Sequence, residues 1–266
     1  MVNLIRVDLK NCIKNDKFKM VFLLFIALSL LPFFMMCADV FGVTSLELFP
    51  TGIMGLTLGR TTRPVLNFIL IMLPLIVCLI YSDSYIFERD NNICIYFFAR
   101  NKKSKYFISK IISISIIVFL TVFFALSINE ALTFLAIPNT GVRGYMGLPD
   151  YELTSNINHF FLQSILESSP YLYNFLLIII ISVYSSFIAI IGFNISIIFR
   201  IKRITLFICM FLGVHLSEVI LPMQFTMESY IQALPYKLEY FFITLLGWLI
   251  LCIFTGVVGI GIESRR

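Results

Sequence analysis

The chain has 266 residues, of which 59% are hydrophobic and 13% charged, with 28 Phe and a mean hydropathy of +0.96. A soluble domain carries about 25% charged residues, so this composition cannot supply the polar surface of a water-soluble fold and excludes that class. The formal net charge of +5 sits at the borders of apolar runs. It therefore marks membrane topology and does not argue for a nucleic-acid partner.

Residues 1–19 precede the first apolar run and repeat with helical period. Val2, Ile5, Leu9, Cys12 and Ile13 share one face, and Arg6, Lys10, Lys14 and Lys17 share another. Such a basic amphipathic helix is expected to lie in the interface, its lysines near anionic headgroups of membrane lipid. It acts either as an elbow that moves with the first span or as a passive anchor.

A helix crosses a hydrocarbon layer of about 30 Å with roughly 20 apolar residues. Charge-free intervals predict five spans, Met20–Ala38, Pro64–Ser82, Ile111–Asn129, Ser168–Phe199 and Tyr240–Ile262, and a sixth, Ile204–Pro222, carries His215 and Glu218 within an otherwise apolar run. The expected fold is thus an all-α polytopic membrane protein forming a single transmembrane domain, 1–266. Lys17, Lys19 and the following apolar run resemble a secretory leader, but Phe34, Met35 and Met36 before Cys37 form no small-residue cleavage site. The first span is expected to be retained.

Between spans, the loop from Asp39 to Arg63 is rich in turn residues, with Gly42, Gly52, Gly55, Gly59 and Pro50. Residues 130–167 form the largest expected outer region, with a short surface helix over Asn156–Leu166. Residues 223–239 are apolar, too short to cross, and bounded by Pro222 and Pro235. They predict a re-entrant or interfacial pair of short helices on the outer side.

Orientation follows from Lys and Arg. With the N-terminus inside, only Arg60, Arg63, Arg143 and Lys237 of the 20 basic residues fall outside. The positive-inside rule then puts both termini in the cytoplasm. The six cysteines show no paired spacing that would suggest a disulfide framework or a zinc site.

Catalytic patterns are scarce. The sequence contains no G-x-x-x-x-G-K-[ST] phosphate loop, no H-E-x-x-H and no G-x-S-x-G. Its two histidines are His159 and His215. His215 and Glu218, three residues apart on one helix face, are either a local hydrogen bond or a functional intramembrane pair. The expected outer face is acidic, with Asp39, Glu47, Glu130, Asp150, Glu152, Glu167, Glu218, Glu228 and Glu239. Glu130, His215, Glu218 and Glu228 are the candidates for a conduit or outer gate, and no metal ligands are expected.

The inner loop over residues 83–110 is richer than topology requires. Lysines alone would satisfy the charge rule, yet Glu88 and Asp90 accompany them, and an apolar run, Ile93–Phe98, separates two polar clusters. A short helix along the inner surface, its polar ends exposed to a cytosolic partner, fits this pattern. The stretch FERDNNICIYFFARNKKSKYFISK, Phe87–Lys110, resembles the segment after the second span in membrane subunits of bacterial type 2 ABC exporters. Glu88, Arg89, Arg100, Ser104 and Lys110 match that pattern, while Asn92-Ile93 departs from it where Gly-Thr is common. The order of amphipathic helix, six spans and broken piece before the last span is also similar.

The resemblance implies a permease subunit whose coupling helix docks on a separate cytosolic ABC ATPase dimer. ATP and Mg would be bound by that partner and no cofactor by this chain. A second copy or a paralogous permease would complete the conduit in a bacterial cell membrane. Glu88, Arg89, Asp90, Arg100, Ser104 and Lys110 would carry the coupling, and the turn with Arg200 and Arg203 is either a second inner contact or simple stop-transfer charge. Near charge-free spans and an acidic exit suit a hydrophobic, amphipathic or cationic peptide, exported or resisted. A membrane-embedded enzyme acting on lipid or peptide through His215 and Glu218 is the alternative, as is a scaffold or sensor that transports nothing.

Overall fold

A computed structural model of the chain describes residues 2–42, 62–100, 102–136, 161–162, 164–165, 169–232, 234 and 236–265. Its described residues are helical and contain no strand. In order they form α1 (Val2–Lys14), α2 (Asp16–Val40), α3 (Arg63–Val77), α4 (Ser84–Asp90), α5 (Ile93–Arg100), α6 (Lys103–Ala136), α7 (Pro170–Phe199), α8 (Arg203–Ile220), α9 (Met227–Ile231) and α10 (Leu238–Arg265). Six of these helices, α2, α3, α6, α7, α8 and α10, are long and apolar enough to cross a membrane. The six expected spans all appear. Most of the expected Asn156–Leu166 surface helix and most of the loop between Asp39 and Arg63 lie outside the described residues.

The helices end where local chemistry stops them. Asn15 separates α1 from α2, its side-chain oxygen accepting from the Lys17 backbone N–H at 3.0 Å, an N-cap that a continuous 1–19 helix would not contain. Ser169 caps α7 in the same way ahead of Pro170. Arg200 then closes α7 with φ +49°. Pro74 interrupts the hydrogen-bond ladder of α3, and the next residues, Cys78–Ser82, widen into a π turn. The two short helices α4 and α5 meet at Asn92, whose φ of +58° is a left-handed conformation that Asn tolerates.

Packing centres on α6 and α7, the most extensive helix pair. Val118, Val122, Ala125 and Leu126 of α6 and Leu177, Ile178, Ile181 and Ile188 of α7 are fully buried. Serines on these helices are buried too, because each bonds a carbonyl one turn earlier: Ser113 to Ser109 at 2.8 Å, Ser182 to Ile178 at 2.7 Å and Ser185 to Ile181 at 2.7 Å. Small, internally satisfied residues let membrane helices approach closely. α2 packs on α6, α10 on α7, and α3 lies among α2, α7 and α8. The outward faces of α2, α8 and α10 expose Leu23, Phe34, Ile208, Val219, Ile250 and Phe254, as helices bordered by lipid do.

One boundary differs from expectation. α6 begins at Lys103 and ends at Ala136, so it has 34 residues and a length of about 51 Å at 1.5 Å per residue. Lys110 does not end it, because that lysine is buried among acids of the same chain. At its other end, Glu130 lies within the helix rather than in an outer loop. Of residues 223–239, Met223–Phe225 form a 3-10 turn and Met227–Ile231 form α9, both packed against α10 near its start at Tyr240 and Phe241.

Candidate functional site

Polar chemistry gathers at the two ends of the bundle. At the α1 end the centre is Lys110, whose side chain has no exposed surface. Its Nζ lies 2.8 Å from Asp8 Oδ1 of α1, 2.5 Å from Glu88 Oε1 of α4 and 3.2 Å from the Tyr81 hydroxyl. It also stands 4.9 Å above the Tyr81 ring, so an aromatic face covers one side of the cation. Tyr106 donates its hydroxyl to the second Glu88 oxygen. One lysine thus joins α1, the π turn after α3, α4 and α6.

Two buried carboxylates face one cation here, and the sequence expectation of exposed polar ends needs correcting at Glu88 and Lys110. Both are turned inward because a buried lysine is tolerated only when fully paired. Burial holds the Asp8 carboxyl above its usual range, with Lys110 opposing that rise. The neighbouring thiols Cys12 and Cys94 are pushed up to about 12 and about 11 by burial, which makes them packing groups and not nucleophiles.

Around this centre lie further ties. Lys17 Nζ is 2.6 Å from Asp83 Oδ2, and Arg203 Nε approaches the same oxygen at 3.5 Å while its guanidinium stacks 5.3 Å from the Phe87 ring. Arg89 pairs with Asp90 at 2.9 Å and donates to the Ile201 carbonyl at 3.4 Å, between α7 and α8. Arg200 donates to both Glu263 oxygens at 3.0 and 3.1 Å, and Lys103 to the Glu263 carbonyl at 3.0 Å. Arg100 and Ser104 are exposed on the surface of this end. The structure therefore brings Glu88 and Lys110 into direct contact, sets Arg89, Arg200 and Arg203 at the α7–α8 turn, and leaves Arg100 and Ser104 at the rim.

At the opposite end, His215 and Glu218 of α8 do pair, at 3.1 Å from Nδ1 to Oε2. The other ring nitrogen lies 3.0 Å from the Ile71 carbonyl of α3. Tyr184 of α7 donates to Glu218 Oε1 at 3.2 Å, its ring packed edge-on against Trp248. Glu228 of α9 accepts from Gln232 at 2.8 Å and adds a second acid near Glu218. Glu130 is separate from this group: Asn174 donates to its two oxygens at 3.1 and 3.3 Å, between α6 and α7.

Asp8, Tyr81, Asp83, Tyr106, Tyr184 and Glu263 are polar partners at these centres that spacing alone did not single out. Asp8 left one trace, as the single acid on a basic helix, placed between Ile5 and Cys12 on the side that turns into the bundle. Among the described residues no group of three or more His, Cys, Asp or Glu side chains could hold a metal ion. No family model, curated protein or solved structure matches the chain.

Proposed function

We propose that the chain is the membrane-spanning subunit of a bacterial ABC exporter, working with a cytosolic ATPase dimer and a second copy or a paralogous permease. On this reading both termini are cytoplasmic, α1 is the elbow, α4 and α5 are the coupling element, and residues 223–239 are a re-entrant piece near the exit. This chain binds no nucleotide; ATP and Mg belong to the partner. The cargo is a hydrophobic, amphipathic or cationic peptide.

The observation that carries the reading is the two-sided character of α4 and α5. Outward, Ile95 and Tyr96 are 63% and 75% exposed, beside exposed Asp90, Asn91 and Arg100. Inward, Glu88, Asp83 and Arg89 are tied to α6, α2, α8 and the α7–α8 turn, and through Lys110 to Asp8 of α1. An element with an adhesive outer face and ionic links to three helices can turn a push from a docked partner into movement of the bundle. Asn92 adds support, since its left-handed backbone is what a Gly would serve at that position of the resembled pattern. An apolar groove of about 370 Å³ between α6 and α7, lined by Ser115, Ile116, Phe119, Leu120, Val183, Ser186 and Phe187, and the acids at the far end suit an apolar or cationic cargo.

The test is purification of the full chain from its native host in mild detergent. An ATPase should co-elute with the natural chain and be lost from a Tyr96→Glu, Ile95→Asp variant that elutes and melts normally. Equal recovery of an ATPase with both, or of none with either, would sink the proposal.

A further inference from the structure

We propose that His215 and Glu218 form a proton-binding site at the far end of the bundle, and that the bound proton fastens α8 to α3. The argument is one of donors and acceptors. A backbone carbonyl only accepts, so the His215 nitrogen 3.0 Å from the Ile71 carbonyl, Nε2, carries a hydrogen. Nδ1 then faces a carboxyl oxygen at 3.1 Å, and that contact needs one more proton. It resides either on Nδ1, giving imidazolium and carboxylate, or on Oε2, giving neutral imidazole and carboxylic acid. In both forms the pair holds a single proton between two lone pairs that would otherwise repel.

The surroundings hold that arrangement in place. Tyr184 of α7 fills the remaining Glu218 oxygen as a donor. Phe211 packs edge-on against the imidazole with ring centroids 4.6 Å apart. The Ile71 carbonyl lies within α3, three residues before Pro74. The titratable groups facing Glu218 are His215 on its own helix, Tyr184 on α7 and Glu228 on α9; α3 contributes only the carbonyl. Among the described residues the ion pair of Glu218 is with His215, and the shared proton neutralises it. His215 and Glu218 side chains keep 26% and 16% of their surface exposed, which leaves the proton exchangeable. Loss of the proton sets a carboxylate lone pair against the Nδ1 lone pair and releases the imidazole from its position between α3 and Glu218.

The site stands on this geometry whether or not the chain is an exporter, and its test needs neither ATPase nor cargo. The full chain, with His159→Gln leaving one histidine, is placed in lipid nanodiscs with nitrogen-15 histidine. Spin labels on α3 and α8, in a background with exposed Cys37 and Cys209 replaced by Ser, report helix separation across about pH 5 to 10. The expected result is an Nδ1 that is hydrogen-bonded at low pH, as donor or as acceptor, and loses that bond in one step as pH rises, with the α3–α8 separation lengthening in the same step. In Glu218→Gln the amide donates to Nδ1 without a titratable proton, so the separation stays short at every pH. Absence of an Nδ1 hydrogen bond, a separation indifferent to pH in the natural chain, or a Glu218→Gln variant that follows the natural curve would each overturn the proposal.

Discussion

The Lys110 centre and the His215 centre solve the same problem in opposite ways. Each joins several helices through carboxyl groups at one end of the bundle. At the α1 end the neutralising charge is a lysine with no exposed surface, shared by Asp8 and Glu88. At the far end it is a proton, held by groups that remain in part exposed. A fixed cation cannot leave, so the first junction is permanent and any movement through it must be rigid. A proton can leave, so the second can open without breaking the chain's packing elsewhere. The contrast matches the division of labour proposed above, in which force enters at the α1 end and the far end yields.

Removing the lysine gives the largest expected effect. Lys110→Met leaves the Asp8 and Glu88 carboxylates buried without a counter-charge and should destabilise the protein by about 3–5 kcal/mol, read as lowered thermal and denaturant midpoints in detergent. The comparison sharpens with a triple variant, Asp8→Asn, Glu88→Gln and Lys110→Met. Replacing all three charges removes the desolvation cost together with the attraction, and should restore most of the loss. If the single variant melts like the natural protein, the junction is not the mechanical link inferred here.

A smaller effect is expected at the other centre. His215→Gln removes a partly exposed ring that bonds one carbonyl and one carboxyl, and should cost about 1 kcal/mol. The same melting measurement distinguishes the two ends: several-fold less destabilisation at His215 than at Lys110. Comparable losses would mean that the far end is as permanent as the near one.

The six crossing helices were legible because hydropathy acts locally: each apolar run is its own signal, and the structure returns all six. Lys110 shows where that signal ends. In a sequence a lysine beside an apolar run looks like the border of a span, whereas here α6 continues a further seven residues before it to Lys103, because acids 102 and 22 positions away along the chain neutralise it. Asp8 and Asp83 were hidden for the same reason, since their partners lie on other helices. His215 and Glu218 were readable as a pair from their spacing. Their ties to Ile71, Tyr184 and Glu228 were not, because those depend on how α3, α7 and α9 come together.

The smallest expected effect concerns Asp8 and sharpens the claim that the Lys110 centre carries one acid more than its cation balances. Burial raises the Asp8 carboxyl above its value of 3.8 in an unfolded chain, and Lys110 offsets only part of that rise. Between the two values the folded protein holds a proton that the unfolded chain has released. Stability therefore falls as pH rises through that window, with a slope of at most about 1.4 kcal/mol per pH unit. Above the window Asp8 is ionised in both states and the penalty is constant. Asp8→Asn keeps an oxygen for Lys110 and removes the excess charge, so its unfolding free energy should lack this acid-side slope while Glu88 still holds the lysine. Denaturant unfolding of both forms from about pH 4 to pH 7 checks it. A natural chain that instead gains stability over that range relative to Asp8→Asn would show that Lys110 outweighs burial and that the centre has no surplus acid.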